Sequence, residues 1–204
     1  VTVYATAKSS VLTLSSKYED DKIVSYKTAS TTYASTSRSG NGLVITGKKA
    51  GKTSVTVKTA SNETIKINVT VKTPSVKLTA TKAPLQVKKS TTAIKVSSKI
   101  STDAISSVSS SSTSRVKAYR VKTSSGNYST TGIKLVAQSK TGTATITVKM
   151  KSGAKATCKV TVQKSAVKVT SVSVPSTSVT LRLAGANKKT TYKISAKRYP
   201  VTAT

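Results

Sequence analysis

Apolar and polar residues alternate along most of this chain. The clearest stretch sets Ile65, Ile67, Val69 and Val71 against Lys66, Asn68, Thr70 and Lys72. A period of two is the pattern of a strand with one buried face, because successive side chains of an extended backbone point to opposite sides. The run 54–58 alternates in the same way, and Ala60, Ser61, Asn62 and Glu63 between the two runs are turn formers. The pair predicts a β-hairpin. No segment carries a helical apolar stripe, so helix content near zero is expected.

The hairpin recurs. AGKTSVTVKTASNETIKINVTV (50–71) aligns without a gap to TGTATITVKMKSGAKATCKVTV (141–162) at an offset of 91 residues. Gly51 pairs with Gly142, Val55 with Ile146, Val57 with Val148, Ile67 with Cys158 and Val71 with Val162. Such self-similarity marks a tandem array. A second match joins VKLTATKAPLQV (76–87) to VSVPSTSVTLRL (172–183), and KKSTTAI (88–94) to KKTTYKI (188–194). Val1, Val3, Ala5, Leu12 and Leu14 form a weaker version of the same start.

The fold class predicted is all-β, as tandem immunoglobulin-like antiparallel β-sandwiches. The repeats are placed at 1–73, the first, with an N-terminal part short of a full repeat; at 74–164, the second; and at 165–204, the start of a third. The linkers near Pro74 and Ser165 span only a few residues, which predicts a semi-rigid array. Residues 101–132 exceed their counterpart at 26–42 and read as an extended loop or an additional hairpin, since 115–122 also alternates.

The segment GLVITGKKAGKTSVTVKT (42–59) resembles the signature of bacterial immunoglobulin-like domains of group 2: a V-x-G-x-x-A-G turn, a T-x-x-I/V-T-V strand and a closing T-V-x-V strand. IKLVAQSKTGTATITVKM (133–150) is similar, and residues 174–204 resemble the opening of that domain. The resemblance implies a sandwich used in tandem on bacterial and phage surfaces, as a stalk or adhesin without catalytic activity. The chain departs from the pattern in lacking Trp. Tyr26 is the candidate substitute in the first repeat.

Composition narrows the chemistry. With no His, one Cys and five acids, a Ser-His-Asp triad and a His-based zinc site are ruled out. No cofactor and no metal are expected. The triplet Glu19, Asp20 and Asp21 offers oxygens suited to Ca²⁺ but reads as a solvated turn. Glu63 and Asp103 are the acids considered for an isopeptide bond with lysine, and both are placed in loops. Cys158, at the inward position that Ile67 fills in the first copy, is expected to pack as a small hydrophobe. No run of eighteen apolar residues and no charged leader is visible, so neither membrane insertion nor a signal peptide is expected in these residues.

Thirty-five Lys and Arg against five acids leave a net charge of +30, and most of these charges lack an internal partner. The resulting field attracts polyanions and opposes self-association at low salt. Only five of the bases are arginines. Lysines act as hydrated point charges, which favours diffuse charge matching over base-edge reading. The expected partner is an anionic cell-wall polymer or an acidic or sulfated glycan, met at the cell surface or outside the cell. Self-association through strand edges, as in a filament or surface layer, is the alternative. Nonspecific nucleic-acid binding ranks third, because stacking aromatics are sparse. The candidate polyanion contacts are the pairs Lys48 and Lys49, Lys88 and Lys89, and Lys188 and Lys189, read as a ladder at corresponding turns of successive repeats. Edge lysines also deter edge-to-edge aggregation.

Overall fold

The computed structural model describes residues 1–15, 18, 20–174 and 196–202. Among them every regular element is a β-strand. The first repeat contributes β1 (Thr2–Tyr4), β2 (Leu12–Thr13), β3 (Ile23–Thr28), β4 (Ala34–Ser39), β5 (Gly42–Gly47), β6 (Gly51–Thr59) and β7 (Thr64–Lys72). They form two sheets, β1-β7-β6-β3 and β2-β5-β4. Val3, Ala5, Ile23, Ala34, Leu43, Ile45, Val55, Val57, Val69 and Val71 fill the space between them.

The second repeat uses the same plan. Its strands are β8 (Val76–Leu78), β9 (Lys82–Gln86), β10 (Ser90–Thr91), β11 (Val96–Ser98), β12 (Ile105–Ser110), β13 (Val116–Lys122), β14 (Tyr128–Ala137), β15 (Gly142–Met150) and β16 (Lys155–Gln163). The sheets are β12-β15-β16-β9 and β10-β14-β13, with β8 paired to β11. Two further strands, β17 (Ser171–Ser173) and β18 (Lys197–Tyr199), pair antiparallel. The chain divides into two compact units, one of residues 1–76, 98–104 and 150–155 and one of the remaining described residues.

The expected hairpin is β6 and β7, whose register sets Val55 opposite Ile67 and Val57 opposite Ile65. One pairing in each repeat differs from an all-antiparallel sandwich. β1 runs parallel to β7, and β9 runs parallel to β16. Alternation reports which face a residue takes and says nothing of the neighbouring strand's direction. The long segment between β12 and β14 is a lengthened β13–β14 hairpin and not a loose loop. Tyr26 is no stand-in for a core Trp: it lies on the edge strand β3, which has a register shift between Ile23 and Ser25, and it stays 36% exposed.

Cys158 is buried and free, as its strand phase predicts. Loss of water around the sulfur pushes its thiol up from the ordinary 9.0 to about 11. The unfolded thiol therefore releases its proton at lower pH than the folded one. The group's contribution to stability is intact below about 9 and is lost as pH rises toward about 11. Alkylation of the native protein is expected to be slow near neutral pH and fast once the chain is unfolded. Cys158→Ser should remove this part of the alkaline loss, read as melting temperatures on either side of that window.

Candidate polyanion-binding surface

Strand phase decides where the charge goes. In the first repeat Lys52 and Lys58 on β6 and Lys66 and Lys72 on β7 all lie exposed on the polar phase, among Thr, Ser and Asn. In the second, Lys149 on β15, Lys155 and Lys159 on β16 and Lys82 on β9 do the same. Lys82 and Lys159 are direct neighbours across the parallel pair β9–β16. Like charges placed opposite one another repel unless an anion sits over them. Lys159→Thr is therefore expected to raise the melting temperature at low ionic strength, and the gain should vanish in ~1 M salt, where the screening length is ~3 Å.

Five acids are too few to neutralise thirty-five bases, and two of them also form local clasps. Asp103, 7% exposed, sits just before β12. Its Oδ2 accepts from Ser98 Oγ (3.0 Å) and Ser152 Oγ (2.6 Å), and its Oδ1 accepts from the backbone N–H of Ala104 (3.0 Å) and Ser152 (3.1 Å). Asp21, just before β3, does the same for the first repeat. Its Oδ1 accepts from Lys22 N–H (3.0 Å) and Ser61 N–H (3.2 Å), and its Oδ2 accepts from Ser61 Oγ (2.9 Å). Each clasp ties the start of β3 or β12 to the hairpin turn that follows β6 or β15. Asp103 is thus engaged by hydroxyls and backbone, neither free in a loop nor set against a lysine. Asp21 sits in a solvent-exposed turn, as expected, and also anchors that turn to Ser61. No cluster of three metal-binding side chains occurs among the described residues, and Glu19 lies outside them.

The lysine pairs do not form a ladder at equivalent turns. Lys48 and Lys49 are exposed in the turn between β5 and β6, whereas Lys88 and Lys89 are exposed between β9 and β10. The first-repeat equivalents of Lys88 and Lys89 are Thr6 and Ala7. Thr6 and Lys88 share a positive φ (70° and 61°), and Ala7 N–H donates to Tyr4 O as Lys89 N–H donates to Gln86 O. What the pairs share is an end of the sandwich. Gly47 N–H donates to Ala7 O, and Ala137 N–H donates to Lys89 O, so these two turns are adjacent in each repeat. Lys188 and Lys189 lie outside the described residues.

Two cationic aromatic groupings on the β13–β14 hairpin, on opposite faces of β13, escaped the sequence reading. Tyr119 is exposed opposite Lys134, with Lys117 two residues away on the same face of β13. Farther along the hairpin, Arg120 lies 3.7 Å from the Tyr128 ring centre and Lys122 lies 5.8 Å from it. By register, Lys117, Tyr119 and Lys134 correspond to Ser35, Ser37 and Val44 in the first repeat. The signal was the alternation of 115–122 combined with the extra length, but alternation alone does not show which residues meet across the hairpin.

No family model and no curated protein matches the chain. Among solved structures it is similar to the S-layer protein rSbsC(31-844), at 21% identity and a TM-score of 0.39, over 76% of this chain and 21% of that one. It is also similar to domains 4 and 5 of S-layer protein SbsC, at 22% identity, TM-score 0.36 and 70% of both chains. A third likeness is to PcdhgB3 EC1-4, at 6% identity, TM-score 0.37, 86% of this chain and 50% of that one. This chain thus spans about a fifth of the length of the first of these.

Proposed function

We propose that this chain is a non-catalytic structural or adhesive module of a cell-surface or secreted protein, of the group 2 bacterial immunoglobulin-like kind, held by its lysines to an anionic cell-wall polymer or an acidic or sulfated glycan. The observation that carries the reading is the set of outward lysines that each repeat shows on one sheet, on β6 and β7 in the first and on β9, β15 and β16 in the second. It includes the adjacent Lys82 and Lys159, an arrangement that gains stability when a polyanion lies across it. Lysine point charges suit sulfate, carboxylate or phosphate spaced along a flexible polymer. Arg120, which donates to Ile105 O (3.1 Å) and stacks on Tyr128, is already engaged inside the hairpin. That weighs against base-edge reading of a nucleic acid.

The test is binding to heparin and to a polyglycerol-phosphate polymer across a salt series, with an uncharged glycan as control. Affinity is expected to fall at least tenfold between ~50 and ~200 mM salt through counterion release. A flat response would overturn the reading. Replacing Lys66, Lys82, Lys149 and Lys159 by Thr should flatten the salt dependence more than replacing Lys48, Lys49, Lys88 and Lys89, by about one unit of log–log slope for each anionic group no longer neutralised.

Self-assembly is the second reading. It is favoured by β4, an edge strand of its sheet among the described residues, since an unpaired edge is a template for another strand.

A further inference from the structure

The two repeats put different residues on the outer face of one sheet. In the second repeat that sheet is β10-β14-β13, and its outward positions include Lys117 and Tyr119 on β13 and Lys134, which pairs with Tyr119, on β14. Lys95 bridges Gly132, two residues from Lys134, and so shares the face. All four side chains are exposed. Register places Ser35, Ser37, Val44 and Thr13 at the same positions of the first repeat. The first repeat does set Lys8 on this face, at the place of Ser90, but with a serine where the second has Tyr119. One fold thus carries an uncharged set in one copy and three lysines around an aromatic ring in the other.

The ring and the charges are both unengaged. Tyr128 takes the Arg120 guanidinium at 3.7 Å, whereas among the described residues no cation lies over Tyr119, which is 48% exposed. Of the five acids only Asp103 falls within residues 74–164, and it is buried in its clasp. These lysines have no carboxylate of their own repeat to pair with.

We infer that this face is a subsite for one charged sugar unit of an acidic or sulfated glycan, with Tyr119 stacked against the sugar ring and Lys117 and Lys134 on its sulfate or carboxylate groups. Residues opposite one another in an antiparallel pair stand ~5 Å apart and same-face neighbours along a strand ~7 Å apart. Both ammonium groups therefore reach the rim of whatever lies flat on the phenol. A pyranose offers a face of C–H bonds, weakly positive, to the negative face of the aromatic ring. Lys95, on the order of 10 Å from the ring, is placed for a charge on the next sugar. A chain of glycerol phosphates gives the lysines the same charge and gives the tyrosine nothing to stack on. The inference rests on the polyanion reading and deepens it, because it chooses the glycan over the wall phosphate polymer.

The test is calorimetry of the 204-residue chain with a sulfated heparin tetrasaccharide and with a glycerol-phosphate oligomer of equal charge. At about 150 mM salt the tetrasaccharide is expected to bind about tenfold tighter. Tyr119→Ser, which installs the first repeat's residue, should abolish that preference at an unchanged melting temperature, and Tyr119→Phe should keep it. Lys117→Ser with Lys134→Val should weaken the tetrasaccharide by about tenfold and flatten its salt dependence. Failure of both anions to bind at ~50 mM salt overturns the polyanion reading and the inference together. Equal affinity for the two anions, or a preference that survives Tyr119→Ser, overturns the sugar subsite and leaves the polyanion reading standing. A preference lost as completely in Tyr119→Phe as in Tyr119→Ser overturns ring stacking as its basis.

Discussion

Asp103→Ala is expected to lower the stability of the second repeat by about 3 kcal/mol, a fall of more than ten degrees in melting temperature for a domain of this size. The carboxylate is almost fully buried and accepts four hydrogen bonds. Removing it strands two serine hydroxyls and two backbone N–H groups together. The loss counts heavily because an unsatisfied buried donor forfeits its water without compensation. Asp21→Ala takes away the equivalent clasp of the first repeat, but its bonds are solvent-exposed, so a loss of about 1 kcal/mol is expected. Asp103→Asn, which keeps acceptor capacity at one oxygen, should fall between the two. Denaturant titration of the three variants is the measurement, and equal losses from Asp103→Ala and Asp21→Ala would show that burial does not set the strength of the clasp.

Gly51→Ala should cost about 2–3 kcal/mol, well above the ordinary effect of adding one methyl group at a surface turn. Gly51 has φ of +154°, and a Cβ there would stand 2.4 Å from two ring carbons of Tyr33. Tyr33 O also accepts the N–H of Lys48 and of Lys49, so its backbone is tied to the turn that would have to move. Gly142, the second-repeat equivalent, has φ of +109° and would meet the Arg115 side chain at 2.8 Å. That guanidinium chain swings away more easily than a ring held at its root. Gly142→Ala is expected to be the milder change, its cost coming mainly from backbone strain. Thermal melts of the two variants decide the point, and the reverse ranking would mean that φ, and not the ring contact, governs the turn.

The strands and their faces were legible because a buried sheet face forces alternation. Val55, Val57, Val69, Val71, Cys158 and Val160 are buried where that alternation puts them. The repeat was legible for a similar reason: two cores of one design need apolar residues at the same spacing. The lysine ladder was misread because a Lys-Lys pair does not mark a particular turn: Lys48 and Lys49 precede β6, Lys88 and Lys89 follow β9. The offset between equivalent positions is 82 residues up to Ala34 and Val116, 90 at Gly42 and Gly132 beyond the lengthened hairpin, and 91 at Gly51 and Gly142. Lys48 and Lys88 are 40 residues apart, so no part of the repeat sets the two pairs at one turn.

The clasps were hidden for another reason. Asp103 and Ser152 are 49 residues apart, and Asp21 and Ser61 are 40 apart. In a chain rich in Ser and Thr nothing local marks those two serines out.

What the linear order of residues determined by itself was the class: thin aliphatic sandwiches in tandem with charge turned outward, because water sorts apolar from polar side chains at a period set by the extended backbone. What the folded chain decided was every relation between strands distant in sequence. These are the parallel lie of β1 and β9 and the carboxylate that locks a turn. Such relations depend on direction, distance and the presence of a neighbour, and an alternating pattern carries none of these.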